Sequence, residues 1–82
     1  MFDEKSELQP DQCLDARGLA CPLPLLRAKV ALNGMQSGQL LYLVATDAGS
    51  RRDIARFAEL AGHELLQAEE REGEFHYWLR KA

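Results

Sequence analysis

Hydrophobic and polar positions divide the chain into an opening polar stretch and six patterned segments. Residues 1–10 are polar, lack periodicity and end in Pro10, which predicts a loose arm. Residues 12–16 read as a short strand closed by Arg17 and Gly18. After Cys21-Pro22-Leu23-Pro24 a helical pattern runs to Asn33, with Gly34 as its stop. Residues 39–46 form a nearly continuous apolar run, the mark of a central strand covered on at least one side. Asp47-Ala48-Gly49 then turns the chain, and Ser50 with Asp53 matches a capping box in which Asp replaces Glu or Gln.

Behind that box, Ile54, Phe57, Ala58 and Ala61 recur at i, i+3, i+4 and i+7, an amphipathic helix ended by Gly62. Residues 63–69 read as a third strand and 71–73 as a hairpin loop. In the fourth strand Phe75, Tyr77 and Leu79 alternate with His76, Trp78 and Arg80, which predicts one covered face and one open, partly exposed face. The order is β-α-β-α-β-β. Right-handed crossovers put both helices on one face of a four-stranded mixed sheet, giving a two-layer α/β (α+β) sandwich. With 82 residues the chain is a single domain spanning 1–82, too small to enclose a large substrate cavity, so its chemistry is expected at the surface.

Charge narrows the function classes. The net charge is −3 and the pI about 5.3, which argues against a general nucleic-acid binder and predicts no stable direct nucleic-acid complex. No apolar run is long enough to span a membrane, and the acidic beginning lacks the apolar core of a secretion signal, so the expected location is cytoplasmic. Cys13 and Cys21 are separated by seven residues, a spacing that fits neither a zinc knuckle nor a thioredoxin-type pair. No metal-ligand cluster and no phosphate-binding glycine loop is present in the sequence.

Cys21 carries the most chemistry. Prolines are tolerated in a helix's first turn, where amides lack acceptors anyway, so Pro22 and Pro24 place the helix start at or just after Cys21. Its sulfur then lies near the positive end of the helix dipole, which favours the thiolate. The dipole alone lowers an ordinary thiol pKa of about 8.5 by less than about 1, a mild activation. The prolines remove two donors that could otherwise hold the sulfur. Pro22, Pro24 and Gly18 are thus the expected surroundings of the thiolate. A small buried cysteine at a helix start fits the same spacing.

The stretch Leu14-Asp15-Ala16-Arg17-Gly18-Leu19-Ala20-Cys21-Pro22-Leu23-Pro24 resembles the signature of the TusA family of sulfur carriers, also called SirA-like proteins. The similarity continues through Ala45-Thr46-Asp47, Ser50 with Arg52-Asp53-Ile54, Gly62-His63-Glu64-Leu65 and Tyr77-Trp78-Leu79-Arg80-Lys81. The resemblance implies the same β-α-β-α-β-β fold and a sulfurtransferase whose Cys-Pro-x-Pro cysteine, here Cys21, takes persulfide sulfur from a cysteine desulfurase. Family members relay that sulfur to an acceptor protein, towards tRNA thiolation, molybdenum cofactor or other sulfur metabolism. It implies no resident cofactor, only a transient Cys21 persulfide, and no general base once the thiol is ionised.

A carrier also needs a docking surface. On the first helix Leu25, Ala28, Ala31 and Leu32 form a stripe expected against the sheet, and Leu23, Leu26 and Val30 a second one roughly opposite. The second stripe, with Arg17, Arg27 and Lys29 for charge complementarity, is the expected partner surface, the competing reading being a helix packed from two sides. Asp47 is open between partner positioning and turn chemistry, and Arg52 is read as a solvated charge. Cys13 is read as structural, and His63 as a partial positive charge at a helix end. Trp78 is either a partner contact or a lid over the sheet. A monomer is expected, since a carrier must leave its donor. The competing function classes are a regulatory or RNA-binding module without sulfur transfer, and a redox protein using both cysteines. Donor, acceptor and final destination are not legible.

Overall fold

The computed structural model describes residues 9–82, so most of the expected arm, residues 1–8, lies outside the described residues. Six elements follow in the expected order: β1 (Gln12–Ala16), α1 (Leu23–Asn33), β2 (Leu40–Ala45), α2 (Ser50–Ala61), β3 (Glu64–Arg71) and β4 (Glu74–Arg80). The four strands form one mixed sheet in the order β1-β2-β4-β3. β1 runs parallel to β2, with Cys13 opposite Tyr42 and Asp15 opposite Val44. β4 is antiparallel to both β2 and β3.

The apolar run of β2 is explained by its place. It pairs on both sides, and Leu41, Leu43 and Ala45 are fully buried under the helices. Phe75, Tyr77 and Leu79 of β4 lie in the same core with Ala28 and Leu32 of α1 and Ile54 and Ala58 of α2. Leu25 and Ala31 pack against that core, so the inner stripe of α1 is the expected one. The edge strand β3 carries Glu64, Glu69, Glu70 and Arg71, charges that discourage a further strand from pairing there.

Several local expectations are corrected. The capping box does not form: Gly49 is the N-cap of α2, with no side-chain cap bond, and Ser50 is the first helical residue. Ser50 is buried, and its hydroxyl instead bonds the Tyr77 hydroxyl at 2.6 Å, tying the start of α2 to the middle of β4. A buried hydroxyl that finds a partner across the core has no need of its own helix's amides. The hairpin loop shrinks to Glu72 and Gly73, both with positive φ (52° and 82°), which lets β3 run on to Arg71. Two residues in the left-handed region are what a tight hairpin between twisted strands requires.

His63 does not act as a helix-end cation. Its ring tilts against Phe57, its Nδ1 accepts the Ala82 amide at 3.0 Å, and burial together with Lys81 pushes its pKa down. The open face of the sheet is likewise less bare than alternation alone suggested. His76 is buried and bonds the Tyr42 hydroxyl, and Tyr42, His76 and Trp78 stack into a partial cover. Aromatic rings on adjacent strands of one face stand close enough to exclude water from one another.

Candidate functional site

The parallel pairing of β1 with β2 decides where chemistry can gather. Both strands end on the same side of the sheet, and each is followed by a helix, so the starts of α1 and α2 lie side by side there. The carboxyl ends of parallel strands are where α/β folds build their sites. Gly18, with φ +82°, turns the chain out of β1, and its N–H donates to Thr46 Oγ1 at 2.9 Å, joining the exits of the two strands. Gly18 thus serves the site by shaping the backbone that leads to Cys21.

Cys21 is exposed and unpaired, as is Cys13. The alternative of a buried, packed cysteine at the helix start therefore does not hold. Pro22 is the N-cap of α1, without a side-chain cap bond, and Pro24 is buried beneath the first turn. The Cys21–Pro22 peptide is cis.

The expected thiolate activation is reversed. The thiol donates to Asp53 Oδ2 at 2.7 Å, and this bond is the main reason the Cys21 pKa is raised. Partial desolvation and the negative charges of Asp53 and Asp47 push it the same way, and only the nearby Arg52 guanidinium pulls it down. The start of α1 offers little to oppose them. Pro22 and Pro24 have no N–H, and the Leu23 amide is already committed to the Ala20 carbonyl at 2.8 Å. A dipole worth a fraction of a kcal/mol yields to a carboxylate in direct contact.

Asp47 and Gly49 complete the surroundings. Gly49 N–H donates to Asp47 Oδ2 at 3.0 Å, and Ser50 N–H to the Asp47 carbonyl at 3.0 Å, so Asp47 shapes the turn before α2. Gly49 faces the sulfur: a Cβ added there would sit 3.6 Å from Cys21 Cβ and 3.7 Å from Sγ. Arg52, expected as a solvated charge, is exposed and still acts on the sulfur through its field.

Leu23, Leu26 and Val30 are 44%, 47% and 72% exposed, so α1 is not packed from two sides. Arg27 and Lys29 are exposed on the same helix, and Lys29 Nζ lies 6.0 Å from the centre of the Phe57 ring. Arg17 is placed elsewhere. It pairs with Asp15 at 2.9 Å and Glu74 at 3.3 Å, and it lines a hollow on the open sheet face with Cys13, Tyr42 and His76. The Arg17 guanidinium holds the Asp15 carboxyl at a pKa of about 2.

The structure thus brings Cys21, Pro22 and Asp47 together at the helix starts, from which the exposed Leu23–Leu26–Val30 stripe runs along α1, and leaves Arg17 on the open face of the sheet. Asp53 and Gly49 are the residues that sequence reasoning missed. The weak capping box was the available signal, since an Asp in the third position is free for another task. Among the described residues no group of His, Cys, Asp and Glu could hold a metal ion, and no helix is long and apolar enough to cross a membrane.

Both the sequence and the fold are similar to those of known proteins. A family model described as "Sulfurtransferase TusA" matches residues 12–81. The sulfur carrier protein TusA of Allochromatium vinosum is 53% identical over 72 residues, covering 88% of this chain and 95% of that protein. A protein of the same name from Pseudomonas putida is 43% identical over 76 residues, 93% of this chain and 95% of its own length. The putative sulfur carrier protein YrkI of Bacillus subtilis is 39% identical over 74 residues, 90% of this chain and 99% of its own. A crystal structure of a SirA-like protein from Desulfitobacterium hafniense superposes with a TM-score of 0.74 at 27% identity, covering 84% of this chain and 95% of that one.

Proposed function

The chain belongs to the TusA family of sulfurtransferases, and from that premise we propose that it carries sulfur as a persulfide on Cys21. The observation that supports this most directly is the placing of the sulfur. Cys21 is exposed at the head of α1, beside an exposed apolar stripe. A carrier's nucleophile must be reachable by two different proteins in turn, and this one is open to solvent and framed by a surface suited to contact.

The chemistry is two exchanges of the thiol–disulfide kind. The Cys21 sulfur attacks the terminal sulfur of a donor persulfide, forming the Cys21 persulfide and releasing the donor thiol. An acceptor cysteine then attacks the terminal sulfur of that persulfide and releases Cys21. In this reading the donor is a cysteine desulfurase and the acceptor a further sulfur-handling protein, on a route such as tRNA thiolation or molybdenum-cofactor assembly. The carrier works as a cytoplasmic monomer, with no cofactor beyond the persulfide it holds. Leu23, Leu26, Val30, Arg27 and Asp47 form the surface its partners meet.

Intact-protein mass after incubation with a cysteine desulfurase and L-cysteine tests the central step. Native protein is expected to gain the mass of one sulfur atom, and Cys21→Ala to gain none. A native chain that stays unmodified with several desulfurases, or a variant that gains sulfur equally, counts against the reading.

A further inference from the structure

The contact between Cys21 and Asp53 calls for more than a persulfide site. A carrier's sulfur must act as a nucleophile, yet the group touching it is an anion that favours the neutral thiol. Asp53 is not placed there by helix capping. The amide ladder of α2 is served by the backbone, with the Asp53 N–H bonding the Gly49 carbonyl at 3.1 Å, and the side chain is left to reach across to α1. Its Oδ2 makes the direct contact with the sulfur, and Asp47 and Arg52 are the other charged groups that act on it.

We propose that Asp53 is a catalytic residue of sulfur transfer, a carboxylate that takes the Cys21 proton as the sulfur attacks and gives it up to the thiolate that departs. The inference rests on the reading of Cys21 as the persulfide site. The step balances without any further reagent. The Cys21 S–H bond breaks and its proton passes to Asp53 Oδ2. The freed sulfur electron pair forms a bond to the terminal sulfur of the donor persulfide, whose S–S bond breaks with its electrons left on the donor sulfur. The donor thiolate then takes the proton from Asp53, and the carboxylate is restored. The net change is one thiol and one persulfide exchanging a sulfur atom, with no oxidation or reduction.

The arrangement has a consequence that a simply activated cysteine lacks. Between transfers the carboxylate keeps the sulfur as a thiol, which is a poor target for electrophiles and oxidants. Reactivity returns when a persulfide is in position to accept the attack. An activated thiolate would react with any passing electrophile.

The test compares two reactions of the same sulfur, in a Cys13→Ser background so that only Cys21 is read. One is alkylation by iodoacetamide at pH 7, which follows the thiolate population. The other is single-turnover loading from glutathione persulfide, followed by mass. Asp53→Asn keeps the size of the side chain and removes its charge and its proton-accepting capacity. The variant is expected to alkylate faster than the native chain and to load at least about tenfold more slowly, general acid–base help being worth roughly 10²–10⁴ and ionisation to water leaving a slower route. Asp53→Glu, which keeps a carboxylate, is expected to recover part of the loading. Loading that rises together with alkylation in Asp53→Asn overturns the proposal, because Asp53 then only suppresses the thiol. Loading and alkylation that fall together overturn it too, since the variant has then disturbed the sulfur's position. Loading that persists when Cys21 is replaced by Ala removes the underlying reading of Cys21 instead.

Discussion

Gly49 and Cys21 face each other across the gap between the two helix starts, close enough that a single methyl group on Gly49 would touch the sulfur's own side chain, 3.6 Å from its Cβ and 3.7 Å from its Sγ. The same methyl would come within 3.0 Å of Asp47 Oδ2, tighter than an ordinary contact. Gly49 has helical dihedrals, φ −67° and ψ −16°, so the backbone itself accepts any residue. Space, not conformation, is what glycine supplies here. Gly49→Ala is therefore expected to fold normally and to slow alkylation of Cys21 by a few-fold, with Gly49→Val slowing it further. Circular dichroism and iodoacetamide kinetics on the two variants check this, and a variant as reactive as the native chain would show the gap to be wider than it stands.

The pH profile of Cys21 should carry the signature of its neighbours. Alkylation follows the thiolate, and the Asp53 contact moves ionisation of this thiol above its ordinary value. The rate should still be climbing at pH values well above the ordinary thiol pKa of about 8.5, where an unperturbed cysteine is already almost fully ionised and its rate has levelled off. The signs for the two flanking charges are opposite. Removing the anion in Asp47→Asn shifts the profile to lower pH and raises the rate at neutral pH. Removing the cation in Arg52→Gln shifts it to higher pH and lowers that rate. Each effect should be about twofold and shrink in high salt, since both charges act through solvent. A profile unmoved by either change would leave Asp53 and partial desolvation as the causes of the shift.

The elements and the face they bury were legible because each is written in a period that solvent exposure enforces. β1 falls on residues 12–16 as read, α1 ends at Asn33 before Gly34, and α2 ends at Ala61 before a left-handed Gly62. Cys21 could be singled out because two prolines mark a helix start in one dimension. Its ionisation could not be read the same way. The deciding partner, Asp53, is 32 residues away, and only the packing of α1 against α2 brings the two together. Ser50 was misread for a related reason. A serine three residues before an acid is a local pattern, and nothing local says that Tyr77 competes for its hydroxyl and wins. Arg17 lies within the signature in sequence, yet Asp15 and Glu74 draw it to the open face of the sheet.

The Ser50–Tyr77 hydrogen bond should be worth more to stability than either group's size suggests. Both side chains are almost fully buried, and the bond links the start of α2, which carries Asp53, to a central strand. Tyr77→Phe leaves the Ser50 hydroxyl without its partner in the core, a loss of about 1–3 kcal/mol. For a chain of this length each kcal/mol lowers the midpoint by roughly 4–8 °C. Ser50→Ala strands the tyrosine hydroxyl in the same way. The double variant should lose less than the two single losses added together, because it leaves no orphan. Thermal melts of the three variants give the comparison, and strictly additive losses would mean that the two hydroxyls do not depend on each other.

The exposed stripe on α1 should matter to proteins and not to small molecules. Leu26 and Val30 are 47% and 72% exposed, so replacing either with Glu removes little from the core, and the melting temperature should change hardly at all. If this surface docks the donor, a charge in an apolar contact is costly once the contact closes, since the carboxylate must give up its water. Loading by a cysteine desulfurase should then fall by about tenfold or more in Leu26→Glu, a size that buried anchors of an interface commonly reach. Loading from glutathione persulfide should stay at the native rate, because that donor needs only the sulfur. Arg27→Glu separates charge from apolar contact: a loss that disappears in high salt belongs to steering, and one that persists belongs to the docked complex. Equal loading of native protein and Leu26→Glu by the desulfurase would move the docking surface off this face of α1.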